Sequence, residues 1–292
     1  MSAAGCGSAR KDTEPILATP TPAASVLAVT IPPTTLAVQA AFDITSSADR
    51  FGPEAKAQLA ASVAAWPAPG RGGLDVTVSV LSSRSWDAAS QLLTVHLDGL
   101  PEKPVRRETL FRPQAPVLEA CALNTFDRAK CTSNATKAYN TALAKALADE
   151  AAAGYELTVE LTAYERLVSQ RKAEAAALAD RITNVDLRHD PAGSDVSGAL
   201  LRAVESLRPA KATKRMLLVQ SDLLPYGKQQ PGVLDLTGID IVVFFFDCPQ
   251  GIDCSAHRLA SEQAFLSAGA ASVSWFDPAA SRITTNILEV VR

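Results

Sequence analysis

The chain has 292 residues, of which 47% are hydrophobic and 20% are charged, and its formal net charge is −3. This length suffices for one sizeable α/β domain with a buried core. Because the charge is close to neutral and no long run of lysine or arginine occurs, the composition argues against a protein that binds nucleic acid through its phosphates.

The first residues, Ala3-Ala4-Gly5-Cys6-Gly7, form a short run of small side chains around a cysteine. The run resembles the end of a bacterial lipoprotein signal peptide, where small residues precede the cysteine that receives lipid. The basic and apolar stretches expected before it are missing, so either the start lies inside the signal peptide or the likeness is accidental. The resemblance implies an extracytoplasmic protein that is anchored to a bacterial membrane through Cys6. Residues 1–33 then form a lipoprotein-like start and a tether rich in Pro, Thr and Ala, followed by a domain at 34–292.

Four further cysteines form two local pairs, Cys121 with Cys131 and Cys248 with Cys254. Each pair closes a short loop with Pro, Gly or polar residues, where a disulfide is tolerated. Free thiols or a metal site are the alternatives, although zinc is disfavoured because no CxxC spacing occurs and histidines are few. An odd count with the odd cysteine first is typical of a lipid-anchored protein in an oxidising compartment, so we predict two disulfides.

The first half of the domain alternates predicted strands and a helix. Residues 35–42 predict a buried strand, 48–66 a helix, and 74–81 and 91–97 a pair of strands. Residues 98–120 contain proline and charge and are predicted to be irregular. From 132 to 183 the chain is rich in Ala, Leu, Glu, Lys and Arg and predicts a helical insertion, either one long helix or two with a break near Gly154. The apolar residues of this insertion predict one packed stripe, at Tyr139, Leu143, Leu147, Tyr164 and Val168.

The second half predicts a helix at 196–207, strands at 215–222 and 240–247, a helix at 255–268, a strand at 271–276 and a last helix at 278–292. Continuous apolar strands separated by helices are typical of a parallel sheet that is covered on both faces. We therefore predict an α/β fold with a doubly wound, mainly parallel six-stranded sheet, one antiparallel edge strand and the long helical insertion.

Polar residues follow three of the predicted strands or precede the next helix. They are Asp43-Ile44-Thr45-Ser46-Ser47, Gly193-Ser194-Asp195 and Ser221-Asp222. In a doubly wound sheet, ligands bind beyond the carboxyl ends of the strands, where the strand order reverses. The three clusters therefore mark the candidate site.

The clusters carry a resemblance to a known family. Asp43, Thr45 and Ser47 match the D-x-S/T-x-S signature of von Willebrand factor A domains. Residues 193–200 resemble the second loop of that family, with Ser194 where a threonine is usual, and Asp222 falls where its second acidic residue follows the fourth strand. The order of elements agrees, and the resemblance covers about three quarters of the chain.

The resemblance implies a metal-ion-dependent adhesion site that holds Mg²⁺ or another divalent cation. Thr45, Ser47 and Ser194 would coordinate through their hydroxyls, and Asp43 and Asp222 largely through water, as suits a hard cation. Such an ion attracts a carboxylate of a partner protein, so the resemblance implies protein binding without catalysis. Two departures are Ser194 and also Leu223, which stands where the family has glycine.

Two other function classes stand beside this one. In an enzyme of the haloacid dehalogenase type a second aspartate lies two residues after the first, but Thr45 occupies that position, and no phosphate-binding glycine motif or nucleophile setting occurs. In a structural protein Asp43, Thr45 and Ser47 would only cap the next helix, no metal would bind, and the long helix would mediate assembly.

Overall fold

The protein is described from a computed structural model, which covers residues 30–45, 51–105, 113–115, 125–225, 227–244, 251–276 and 286–289. Within these residues the strands are β1 (Thr34–Asp43), β2 (Gly73–Leu81), β3 (Gln91–Leu97), β4 (Lys214–Gln220), β5 (Ile239–Phe244) and β6 (Ser272–Phe276). The helices are α1 (Gly52–Ala64), α2 (Thr125–Thr183), α3 (Val196–Leu207) and α4 (Cys254–Ser267).

The six strands form one sheet in the order β3-β2-β1-β4-β5-β6. The β2–β3 pair is antiparallel, whereas the four other neighbouring pairs are parallel. The order reverses between β1 and β4, because the chain adds β2 and β3 on one side of β1 and returns to the other side for β4. The predicted fold class, a mainly parallel six-stranded sheet with an antiparallel edge strand, is confirmed.

Two separate clusters of apolar side chains cover the two faces of the sheet. On one face Val38 and Phe42 of β1 pack with α1 and with the last part of α2, which includes Leu178 and Ile182. On the other face Ala37, which directly precedes Val38 in the same strand, packs with α3 and α4. Since β1 alternates between these clusters and is buried on both faces, its nearly continuous apolar sequence is that of a central parallel strand.

The insertion is a single helix, α2, of 59 residues, which at about 1.5 Å per residue is roughly 90 Å long. It continues through Gly154 without a break, so the alternative of two helices is wrong. No other atom lies near the position that a Cβ of Gly154 would occupy. This glycine therefore weakens the helix without ending it.

The two halves of α2 have different surroundings. Tyr164, Ala175 and Ile182 are buried where the second half packs against α1 and β3. None of residues 128–163 is buried. The predicted packed stripe is therefore wrong for the first half, where Leu147 is 55% exposed and Tyr139 and Leu143 are only partly covered.

Several element boundaries differ from the prediction by a few residues. Helix α1 begins at Gly52 with Phe51 as its N-cap, whereas residues 46–50 lie outside the described part. β4 ends at Gln220, so Ser221 and Asp222 follow the strand and are not part of it. Of the predicted last helix, only 286–289 are described, and Ile287–Glu289 form a 3₁₀ turn there. None of the described helices has both the length and the apolar composition needed to cross a membrane.

Candidate functional site

The candidate site lies at the carboxyl ends of β1 and β4, the two strands between which the strand order reverses. These strands are paired directly, and their last matched residues are Phe42 and Gln220. The next residues along each strand, Asp43 and Ser221, therefore meet at the same edge of the sheet. This is the position where doubly wound sheets bind ligands.

Asp43, Thr45 and Ser194 form one hydrogen-bonded cluster. The Thr45 hydroxyl donates to Oδ1 of Asp43 at 2.6 Å, and the Thr45 backbone N–H donates to the same oxygen at 3.0 Å. The Ser194 hydroxyl lies 2.9 Å from the Thr45 hydroxyl and 3.4 Å from Oδ1 of Asp43. All three residues are buried, although Ser194 lies 151 residues from Asp43 in the chain. The fold thus brings two of the predicted sequence clusters together.

The third cluster joins the site from β4. The Ser221 hydroxyl donates to Oδ2 of Asp43 at 2.6 Å, so both oxygens of that carboxylate accept hydrogen bonds. Asp222 is buried beside it, and its Oδ1 accepts the backbone N–H of Leu224 at 3.0 Å. Oδ2 of Asp222 is also buried but accepts no hydrogen bond among the described residues.

Two ionised carboxylates side by side are electrostatically unfavourable in this buried site. Burial raises the pKa of Asp43 above its ordinary value, and this effect outweighs the hydrogen bonds from Ser221 and Thr45, which lower that pKa. The negative charge of Asp222 raises it further. A cation between the two carboxylates would relieve both the burial of charge and the repulsion.

Hydrogen bonds within the loop before α3, and from residues 229 and 230 of another loop, hold it in place. Asp195 is the N-cap of α3 and accepts the backbone N–H groups of Gly198 and Gln230 at 2.9 and 2.8 Å. The Gln229 side chain donates to the Ser194 carbonyl at 2.8 Å. Both backbone N–H groups donate to Oδ1 of Asp195, which thus caps α3 and holds the loop that carries Ser194.

Leu223 follows Asp222 in an unusual backbone conformation. Its φ is 57°, and it is the only described residue other than glycine with a positive φ. A leucine is strained in this left-handed conformation, which glycine adopts at little cost. Its side chain is nevertheless buried in the cluster that α3 and α4 share.

A cavity of about 310 Å³ opens beside Asp43, and its described lining includes Lys56 of α1 and residues 185–187, which follow α2. The Lys56 ammonium donates to the carbonyl oxygens of Thr183 and Val185 at 3.0 and 2.6 Å. The end of the long helix is thus fixed next to the candidate site.

The residues present fit a hard cation. Among the described residues no group of three or more His, Cys, Asp or Glu side chains is placed to hold a metal. The site offers instead two carboxylates together with the hydroxyls of Thr45 and Ser194, which is a set of oxygen donors. Oδ2 of Asp222 is buried and has no donor in the part of the chain that the structure describes, and this favours an ion, since a buried carboxylate oxygen without a donor is costly.

Several predicted residues are not tested by this geometry. Ser47 lies outside the described residues, as do Cys6, Cys121 and Cys248. Cys131 lies in α2 and Cys254 begins α4, but their predicted partners are not described, so both disulfides stay predictions.

Sequence reasoning placed Ser221 in a polar cluster but did not include it among the site residues. It also missed Lys56 and the capping role of Asp195. The signal for Ser221 was its position, because it is the first residue after β4 and β4 pairs with β1. Nothing in the sequence connects Lys56 with the end of a helix more than 120 residues away.

The sequence comparisons found no relative. No protein-family model matches the chain, and no curated protein is significantly similar to it in sequence.

Proposed function

We propose that the chain is a protein-binding module of the von Willebrand factor A type, which holds Mg²⁺ or a similar divalent cation and captures an acidic group of a partner protein. The observation that carries the proposal is the convergence of Asp43, Thr45, Ser194 and Asp222 at one edge of the sheet, with a buried Asp222 oxygen that has no donor among the described residues.

Each residue has a defined part in this proposal. The hydroxyls of Thr45 and Ser194, together with that of Ser47, would coordinate the ion directly or through water. Asp43 and Asp222 would act largely through water and supply the negative charge. The ion supplies a coordination position that attracts a carboxylate, because neutral hydroxyl ligands compensate its charge only in part. The hydrogen bonds of Gln229 and Asp195 keep the Ser194 loop in place for this role.

The fold and its motifs support the family resemblance, and the two departures weaken it. The sheet has six strands with an early antiparallel edge pair, and each motif follows the strand or precedes the helix that the resemblance requires. Ser194 keeps the hydroxyl of the usual threonine but loses the methyl group that restricts its rotamer. Leu223 keeps the left-handed backbone for which glycine is better suited.

The first experiment compares thermal unfolding of the full chain in Mg²⁺ and in a chelator. We expect Mg²⁺ to raise the melting temperature, because a ligand that binds only the folded state stabilises it, by about 2.7 kcal/mol at one hundred times its Kd. Asp43→Asn and Ser194→Ala should lose this increase. The control is Asp235→Asn, an exposed carboxylate before β5, which should keep it. Equal melting temperatures of the unaltered chain in Mg²⁺ and chelator would refute the metal site.

The second experiment tests the capture of an acidic group with a synthetic glutamate-rich peptide and a glutamine-rich control peptide. We expect the chain to bind the first peptide in Mg²⁺ but not in chelator, and to ignore the second. Binding that is unchanged by chelator would contradict capture through the ion, even if the ion itself binds.

The extracytoplasmic location is proposed on the resemblance around Cys6 alone. Mass spectrometry of the protein isolated from its native cells tests it, and protein without lipid on Cys6 would contradict the anchor.

A further inference from the structure

The first half of α2, residues 128–163, has an ordered distribution of charge. Residues 128–148 contain no acidic residue and four basic ones, which are Arg128, Lys130, Lys137 and Lys145. Residues 149–165, which extend two residues past this half, contain no basic residue and five acidic ones, which are Asp149, Glu150, Glu156, Glu160 and Glu165. The helix thus carries a basic block of charge +4 followed by an acidic block of −5.

Apolar side chains are exposed where the two blocks meet and beyond. Leu147, Tyr155 and Val159 are 55%, 59% and 49% exposed. With Ala151 between them, they recur every four residues and so follow one another along the helix surface. A helix with no buried side chain over some 36 residues gains little from tertiary packing, and helices without such packing are marginal in water.

We propose that this half of α2 pairs with the same half of α2 in a second copy of the chain, with the two helices antiparallel. In that arrangement the basic block of each copy lies along the acidic block of the other, so two sets of opposite charges face each other. Parallel pairing would place like charges side by side. The charge order of this single helix is therefore complementary to itself in one orientation only.

The centre of the pairing follows from the charges. The blocks meet at residues 146–148, so the two-fold axis passes near Leu147 and brings its two copies together. Tyr155 and Val159 then extend the apolar contact on either side. The pairing is of the isologous kind, in which the same surface serves both subunits. It uses residues remote from Asp43 and is independent of the proposed metal site.

The experiment measures the mass of the full chain by light scattering and sedimentation at low and high salt. We expect a dimer at low salt that dissociates more readily as salt rises, since exposed charges are screened. A chain that stays monomeric at about 100 μM and low salt would overturn the proposal.

Charge reversal tests the pairing specifically. One variant changes the four basic residues to Glu, and a second changes Asp149, Glu156, Glu160 and Glu165 to Lys. Each variant alone should dimerise at least about tenfold more weakly, since its blocks then repel. An equimolar mixture of the two should restore the dimer. Dimers that persist in both variants alone, or a mixture that stays monomeric, would overturn the proposal.

A matched control separates this effect from net charge. The control variant carries Glu at four exposed basic positions outside α2, which are Arg84, Lys103, Lys211 and Lys228. It has the same net charge as the basic-block variant, and we expect it to dimerise like the unaltered chain. Far-ultraviolet circular dichroism checks that all variants keep their helix content.

Discussion

Leu223 shows two opposing contributions at a single residue of the candidate site. The left-handed backbone at φ 57° costs a leucine about 1–2 kcal/mol. Burial of its side chain in the apolar cluster beneath α3 and α4 stabilises the fold by roughly 2 kcal/mol or more. The backbone turn there directs Asp222 into the site, so the strain is located where the proposed binding takes place.

This balance predicts that a glycine at position 223 is more stable than an alanine, the reverse of the usual order. Leu223→Gly loses the buried side chain but relieves the backbone strain. Leu223→Ala loses most of the side chain and keeps the backbone strain. We expect the glycine variant to be more stable than the alanine variant by about 1 kcal/mol in urea unfolding. At Leu200, a buried helical position, the same pair should show the opposite order. An alanine variant at 223 that is the more stable would contradict the strain.

His96 is a second residue with a measurable consequence. Its Nδ1 and Nε2 lie 2.6 and 3.0 Å from the carboxylates of Asp75 and Asp98, and Asp98 also pairs with Arg171 of α2 at 2.7 Å. Burial lowers the pKa of His96, but the hydrogen bonds to Asp75 and Asp98 and their charges together raise that pKa above its ordinary value.

A raised histidine pKa makes stability depend on pH in a known direction. The folded protein holds the proton more strongly, so this contribution is complete below the ordinary pKa of about 6.5 and is lost as pH rises through the folded pKa. We expect the free energy of unfolding measured in urea to fall over that interval, by less than about 1 kcal/mol because the ring is half exposed. His96→Gln should remove this part of the pH dependence, and His189→Gln, in the loop after α2, should keep it. An unchanged profile in His96→Gln would be contrary to the expectation.

The sequence predicted which residues cluster because polar residues at the carboxyl ends of parallel strands must meet. Asp43 and Asp222 follow from that rule. Ser194 precedes α3 and does not follow a strand, so its loop was identified by the resemblance. The rule does not say which groups bond to which. That Asp195 caps α3 and Ser221 bonds Asp43 depends on side-chain directions that only packing determines.

At the scale of elements, the junction between α1 and the end of α2 connects the long helix to the site. Lys56 donates to two carbonyls there, and a cation at a helix C-terminus also compensates the helix dipole. The same side chain lines the cavity beside Asp43.

Removing this ammonium should weaken the junction. We expect Lys56→Met to lower the free energy of unfolding by about 1 kcal/mol, since two hydrogen bonds are lost, one exposed and one partly buried. Lys211→Met, at an exposed position between α3 and β4, should change it by less than about 0.5 kcal/mol. Chemical denaturation of both variants measures the difference. Equal effects would mean that Lys56 contributes nothing beyond a surface charge.

The elements themselves were largely predictable, because strong apolar periodicity determined β3 and α3 to the residue. The uncertain point was α2. A glycine in the middle of a helix weakens it without dictating a break, so the sequence allowed one helix or two. Nor did the sequence indicate that only the second half packs on α1 and β3, since both halves carry apolar residues at helical spacing.

At the scale of the whole molecule, packing is uneven along α2. Its second half contributes Leu178 and Ile182 to the core, whereas residues 128–163 contribute no buried side chain. Regions with few buried apolar contacts open locally at a much lower free energy than the core.

This difference predicts two classes of hydrogen exchange within one helix. In a chain diluted enough to be monomeric, amides of residues 130–160 should exchange by local opening, while those of 170–183 should need global unfolding. We expect the second class to exchange at least about a hundredfold more slowly, and mass-spectrometric exchange measures both. Uniform protection along α2 would contradict the separation.

The length of α2 also governs how the molecule diffuses. A compact domain of this size is about 45 Å across, so a rod of roughly 90 Å must extend well beyond it. Friction along such a rod slows translation and makes rotation anisotropic. A single copy should therefore elute from a sizing column ahead of a sphere of 30.7 kDa, and elution volume alone would misreport the number of chains.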